Sequence, residues 1–350
     1  MIDFRKIVRP HIWELKPYSS ARDEYTGTHG IFLDANENPY SSVTGESFNR
    51  YPDPYQRSIK EMLATLKGVS PNQIFLGNGS DEAIDLLIRL CCEPHQDNIL
   101  IMPPTYGMYA VSAEINCVKV KEVLLTPDFQ LRVAEILQQV DAQTKIIFVC
   151  SPNNPTGNCF RQADILELLE HFHGLVVIDE AYIDFARIPS FITLLGKFPN
   201  LVVLQTFSKA WGMAGLRVGM AYASPTIIQL LNKIKPPYNI GEHTQQKIME
   251  ALNEVHRKDE MVAYILAERQ RLSQELQKIS TIEYVYPSDA NFLLVRIKGG
   301  KKAYDYLISQ LIIVRDRSKM ALCQDCLRIT VGTKSENEML IEALKMYQPN

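Results

Sequence analysis

Lys209 stands between two small residues, Ser208 and Ala210, just behind an apolar run over 201–205 that reads as a buried strand. A lysine at such a strand end can be desolvated, which depresses its pKa and makes the amine a nucleophile. On a solvated surface the same residue would only flank a helix cap, since lysines are mostly exposed. Ser208 and Arg217 have suitable chemistry for a phosphate. Asp179 ends a second apolar run, over 175–179, and Glu180, Ala181 and Tyr182 follow it. A carboxylate at a buried strand end is costly unless it is paired. A pyridinium nitrogen would supply that partner, because an aspartate there keeps the ring protonated as an electron sink. Tyr182 could then reach the phenolate oxygen of the same ring.

Two turns complete the candidate set. Ser151-Pro152-Asn153-Asn154-Pro155-Thr156-Gly157 follows the apolar run over 145–150. It is either a plain strand-to-helix turn made of turn-forming residues or the place where an Asn amide donates to a ligand at the carboxyl edge of a parallel sheet. Gly77-Asn78-Gly79-Ser80-Asp81-Glu82 precedes a helical pattern. Its glycines permit a tight turn, and free amides at a helix N-terminus attract phosphate, although Ser80 is equally explained as an N-cap.

The elements that must position these residues alternate. Runs over 98–102, 145–150, 175–179 and 201–205 read as buried strands, and 80–92, 105–116, 131–140 and 161–171 carry apolar residues at helical spacing. That alternation predicts an α/β domain with a mostly parallel central sheet flanked by helices. After Pro236-Pro237 come a long charged helical stretch over 241–279, strands over 282–286 and 291–297, a helix near 302–310, strands over 312–314 and 327–331, and a helix near 335–346. This order predicts a smaller α+β domain. The expected division is 41–240 for the large domain, with 1–40 and 241–350 forming the small one from both chain ends.

The 350 residues carry a formal charge of -3, so no basic excess argues for nucleic acid. Arg5, Lys6 and Arg9 have no apolar stretch behind them, so no secretory signal is expected. No apolar run approaches the ~18 residues of a membrane span, and a cytoplasmic protein is expected. The seven cysteines read as reduced thiols. Cys323 and Cys326 have C-x-x-C spacing, but no second pair or nearby histidine completes a zinc set, so packing thiols and no metal are expected. The histidines show no ligand spacing, and the charges over 257–283 read as a solvated helical face.

Taken in order, Asn154-Pro155-Thr156-Gly157, Asp179-Glu180-Ala181-Tyr182 and Ser208-Lys209-Ala210 through Ala214-Gly215-Leu216-Arg217 resemble the fold type I pyridoxal-5'-phosphate (PLP) dependent aminotransferases. Within them the chain is most similar to the histidinol-phosphate aminotransferase family. That likeness runs over nearly the whole chain, through Pro17-Tyr18 and Ala21-Arg22, Asn49-Arg50-Tyr51-Pro52-Asp53, Pro103-Pro104-Thr105-Tyr106, Val314-Arg315-Asp316 and Cys326-Leu327-Arg328.

The resemblance implies Lys209 as the Schiff-base lysine and proton carrier, Asp179 at the pyridine nitrogen, and Tyr182 and Asn154 at the ring oxygen. It implies Tyr106 stacked on the ring. The cofactor phosphate would be held by the amides of Ser80 and Asp81, the hydroxyls of Thr206 and Ser208, and Arg217. Tyr51 would reach it from a second subunit of a homodimer with shared sites. Arg328, Arg315 and Tyr18 would hold the substrate anion. The implied reaction exchanges an amino group between histidinol phosphate and 2-oxoglutarate. Alternatives on the same scaffold are an aromatic amino acid aminotransferase, a threonine-phosphate decarboxylase, or a non-catalytic PLP-binding regulatory protein. Two departures bear on substrate choice: Trp211 replaces an expected smaller aromatic, and Asp23-Glu24-Tyr25 differs from the basic, Gly-rich form expected there.

Overall fold

The structure, a computed structural model, describes residues 3–18 and 30–349; Ala21, Arg22 and Asp23-Glu24-Tyr25 lie outside them. Its larger sheet comprises β1 (Ile74–Asn78), β2 (Asn98–Ile101), β3 (Lys119–Glu122), β4 (Thr144–Cys150), β5 (Leu175–Asp179), β6 (Leu201–Thr206) and β7 (Val218–Ala223). The spatial order of the seven strands is β1-β7-β6-β5-β4-β2-β3. Strands β2 to β6 run parallel, while β7 is antiparallel to both of its neighbours. Successive residues feed two cores: Val176 and Ile178 of β5 enter one, Leu175 and Val177 the other. Both faces are covered, which is why the central runs lack polar alternation.

The described helices are α1 (Pro10–Glu14), α2 (Arg57–Lys67), α3 (Ser80–Cys91), α4 (Met108–Ile115), α5 (Val133–Gln139), α6 (Gln162–His171), α7 (Pro225–Ile234), α8 (Glu242–Leu252), α9 (Val255–Leu276), α10 (Gly300–Ser309) and α11 (Lys334–Met346). The expected continuous stretch over 241–279 is two helices, α8 and α9, with the break at Asn253 and Glu254. Helix α9 carries Val262 in a core of the large sheet and Leu272 and Leu276 in the core of the smaller unit. The boundary between the two units therefore runs through a single helix.

The smaller unit holds an antiparallel sheet of β8 (Ile282–Val285), β9 (Phe292–Ile297), β10 (Arg315–Asp316) and β11 (Cys326–Thr330), in the order β10-β11-β9-β8. The strand expected over 312–314 is displaced to Arg315–Asp316, because Leu311 and Ile313 are exposed and only the following residues pair with β11. The described N-terminal residues also depart from expectation. Assigned with 1–40 to the small domain, they pack on the large one: Ile7 and Val8 are buried in the core that holds α3 and α7, and Arg9 N–H donates to Leu90 O at 3.0 Å. Their apolar residues find a covered face there. Among the described residues no helix is long and apolar enough to cross a membrane.

Candidate active site

The carboxyl ends of β4, β5 and β6 meet at one edge of the large sheet, and the three motifs that follow them meet there too. A cavity of about 140 Å³ at that edge is lined by Ser80, Asp81, Tyr106, Asn154, Asp179, Tyr182, Thr206, Ser208, Lys209 and Arg217, joined by Gly79, Cys150 and Ala181. Every residue expected to hold the cofactor is therefore on one wall or another, except Tyr51.

The anion end is built by backbone. Strand β7 inserts between β1 and β6, so Gly219 faces Gly77 on one side and Thr206 on the other. A Cβ at 219 would lie 2.2 Å from Ser80 N, so glycine is what lets the start of α3 settle onto the sheet. Gly79 takes a positive φ of 75° and its N–H donates to Arg217 O at 2.8 Å. The amides of Ser80 and Asp81 then open α3 with no intrahelical acceptor and with the positive end of its dipole facing the cavity. Arg217 itself has φ 55°, a left-handed conformation costing of order 1 kcal/mol for a non-glycine residue. Its guanidinium lies 3.5 Å from Asp81 Oδ2, and Tyr106 Oη donates to Asp81 Oδ1 at 3.0 Å. Thr206 Oγ1 accepts from Ser208 N at 3.1 Å, which turns the chain sharply before Lys209.

Asp179 ends β5 fully inside the protein. Tyr109 Oη donates to its Oδ2 at 2.7 Å and Ala181 N–H to its Oδ1 at 3.1 Å. Burial nevertheless dominates and pushes the carboxyl up to about 6. Among the described residues no cation forms an ion pair with the carboxylate, although the Lys209 charge acts on it, and a pyridinium nitrogen is a cation that would fit. The next residue, Glu180, is equally buried but points away, into Ser190 Oγ, Phe191 N and Gln205 Nε2. Strand alternation gives one acid to the cavity and the other to the packing.

Lys209 Nζ lies 5.5 Å from the ring centroid of Tyr182. Burial, together with the charges of Arg328 and Arg217, lowers its pKa, which favours the neutral, nucleophilic amine. Asn153 and Asn154 divide their work. Asn153 locks the turn through Thr105, Pro104 and Thr156. Asn154 Nδ2 donates to Tyr182 Oη at 3.4 Å, and its Oδ1 accepts from Arg328 Nη1 at 2.5 Å. Arg328 thereby ties the smaller sheet to the cavity. Directly opposite it on β10 is Arg315.

Three expected residues do not converge on the cavity in the single chain. Tyr18 and Tyr51 are 73% and 51% exposed, Tyr51 stacks on Tyr238 at 4.5 Å, and Arg315 is exposed on an edge strand. Trp211 does not line the cavity. It packs on Phe207 at 5.2 Å, with Lys258 Nζ 5.6 Å from its ring. Tyr109 is the partner that sequence reasoning missed. Its signal was its place three residues beyond Tyr106, at the start of α4, where its ring meets that of Tyr106 edge-on at 5.5 Å.

A buried aspartate and a desolvated lysine, set around a backbone anion cradle at the carboxyl edge of such a sheet, define a PLP-dependent transferase of fold type I. Within that class the chain belongs to the class I and II aminotransferase family, whose model matches residues 27–344. It is 59% identical to a histidinol-phosphate aminotransferase of Cytophaga hutchinsonii over 97% of this chain and 98% of that one. It is 51% identical to the enzyme of that name from Bacteroides thetaiotaomicron over 99% and 100% of the two chains. Among solved structures, the histidinol-phosphate aminotransferase of Clostridium acetobutylicum superposes with a TM-score of 0.79 at 26% identity, covering 85% of this chain and 90% of that one.

Proposed function

We propose that the chain is a cytoplasmic aminotransferase that exchanges the amino group between histidinol phosphate and 2-oxoglutarate in histidine biosynthesis, by a ping-pong cycle. Bound PLP supplies the electron sink for the carbanion left when the substrate loses its Cα proton. Lys209 Nζ would hold the cofactor covalently and would be the base that takes and returns that proton. Asp179 would hold the proton on the ring nitrogen, Tyr182 and Asn154 would hold the ring oxygen, and Tyr106 would cover the ring. The amides of Ser80 and Asp81, the hydroxyls of Thr206 and Ser208, and Arg217 hold the cofactor phosphate.

The observation that carries the substrate reading is the pair Arg315 and Arg328, directly opposite each other on adjacent antiparallel strands. Like charges so placed are destabilising, and an anion between them removes the conflict. Tyr18 is the third group assigned to the substrate phosphate. Histidinol phosphate offers a phosphate and no carboxylate, and arginine suits such an anion through bidentate contacts. The name and coverage of the relatives support the same reading. A homodimer with shared sites fits the exposure of Ile31, Leu33, Tyr40 and Val43 at 80% or more beside Tyr51, since a row of bare apolar residues marks an interaction surface. The deciding experiment is a transamination screen with histidinol phosphate, phenylalanine, tyrosine and threonine phosphate. Histidinol phosphate is expected to have the highest kcat/KM, and an aromatic amino acid ahead of it would overturn the substrate while leaving the reaction.

A further inference from the structure

Arg317 follows β10 and continues its ladder, its N–H donating to Cys326 O at 2.9 Å. It therefore sits opposite Cys326, and at two residues beyond Arg315 its side chain returns to the sheet face that carries Arg315 and Arg328. The intervening Asp316 alternates to the other face, where its Oδ1 accepts from Ser318 N at 2.9 Å. The Arg317 side chain is half-buried and its Nε is shut off from solvent with no hydrogen-bond partner. No carboxylate pairs with it among the described residues. Burial, then the charges of Arg328 and Arg315, pull its guanidinium below the usual range, and Tyr182 on the cavity wall lies within its field. A buried donor left without an acceptor costs free energy, and a third cation facing two others costs more.

We propose that Arg317 is a third anion-binding arginine of the substrate pocket, donating to the substrate phosphate beside Arg315 and Arg328 and setting preference for a phosphate monoester over a carboxylate. The inference rests on the histidinol-phosphate reading above. A phosphate dianion presents three terminal oxygens and about two negative charges, enough acceptors for three guanidinium groups. A carboxylate has two oxygens and one charge, and would leave one arginine buried and unmatched.

The test compares Arg317→Gln and Arg317→Lys with wild type as holoenzymes, on histidinol phosphate and on histidinol, which lacks the phosphate. Arg317→Gln is expected to raise KM for histidinol phosphate by about 10- to 100-fold, leave kcat nearly unchanged, and leave histidinol turnover unaffected. Arg317→Lys is expected to recover part of the loss. Calorimetric binding of histidinol phosphate to Lys209→Ala protein, with and without Arg317→Gln, should show the same loss of affinity without turnover. If Arg317→Gln does not fold, Arg317→Lys decides the same comparison through a smaller KM rise confined to the phosphorylated substrate. Equal losses on both substrates, in a wild type that does favour the phosphate, would overturn the role of Arg317 alone. A wild type indifferent to the phosphate would overturn the substrate reading, and this inference with it.

Discussion

The rim formed by β4, β5 and β6 lines the cavity, the edge formed by β10 and β11 is tied to it through Arg328 and Asn154, and the two differ in how complete they are. On the rim, Asp179 is held by Tyr109 and Ala181, Asn154 by Tyr182 and Arg328, and Asp81 by Tyr106 and Arg217. On the edge, Arg315 is exposed and Arg317 Nε has no partner. Tyr18 and Tyr51, which would work with that edge, are also exposed. A rim fixed by its own bonds is preorganised for one kind of chemistry. On the proposed reading, the open edge would be completed by what binds it, the substrate anion on one side and a second copy of the chain on the other. That reading would give reaction type to the rim and substrate choice to the edge.

Changes on the rim should therefore abolish turnover, while changes on the edge should redirect it. The largest effect is expected from Lys209→Ala, which removes both the nucleophile and the proton carrier. Turnover should fall by about 10⁴-fold or more, and the borohydride-sensitive Schiff-base absorbance should vanish; a variant with wild-type turnover would move the chemistry off this lysine. Asp179→Asn should come next, slowing Cα proton removal far more than it lowers PLP content. It should also change stability. The folded carboxyl lies near about 6, above its unfolded value of about 3.9. The native state therefore binds the proton more tightly, and stability of the cofactor-free protein declines as pH rises from about 4 through about 6, by up to about 3 kcal/mol. Asp179→Asn should erase that decline and leave the cofactor-free protein more stable at pH 7, as read by urea unfolding at pH 4.5 and 7. A steeper decline in the variant would mean that the Tyr109 bond outweighs the burial.

On the edge, Arg315→Ala should weaken the transition state for histidinol phosphate by about 1.5–3 kcal/mol, the worth of a hydrogen bond to a charged group, and should affect phenylalanine turnover much less. Steady-state kcat/KM on both substrates measures this, and equal losses would reduce Arg315 to a surface charge. The smallest signal is expected from mixing inactive Lys209→Ala protein with Tyr51→Ala protein. Random exchange makes half the dimers mixed, each with one intact site, so about a quarter of wild-type activity should return. No recovery in a mixture shown to exchange subunits would remove the shared site.

The sequence was most informative where the chain is most buried. Strands β4, β5 and β6 are apolar on both faces and end in residues that a solvated turn does not need, so their positions and their functional ends were both legible. Strand β7 was not, because Val218–Ala223 mixes small residues with Tyr222 and lies antiparallel between strands far away in sequence. Strand β3 is a polar edge, exposed or partly exposed throughout, and carries no apolar signal. The placement of residues 4–13 on the large domain depends on a partner face that local pattern does not reveal. Arg317 was missed for a related reason: its side-chain direction follows from the register of β10 on β11, and two paired residues leave little periodicity to read.

Gly219 has a consequence for mutational tolerance. Its missing side chain is occupied by Ser80 N and by Gly79 C, which would lie 2.2 and 2.3 Å from a Cβ. The neighbouring Gly215 has nothing within 4 Å of the same construction. In a library varying every position, one added methyl group at 219 should be among the most damaging changes in the protein, because the only way to admit it is to lift the start of α3 away from the sheet. The same methyl at 215 should pass unnoticed. Two glycines four residues apart would then mark, one by intolerance and one by indifference, where the backbone itself is the binding group.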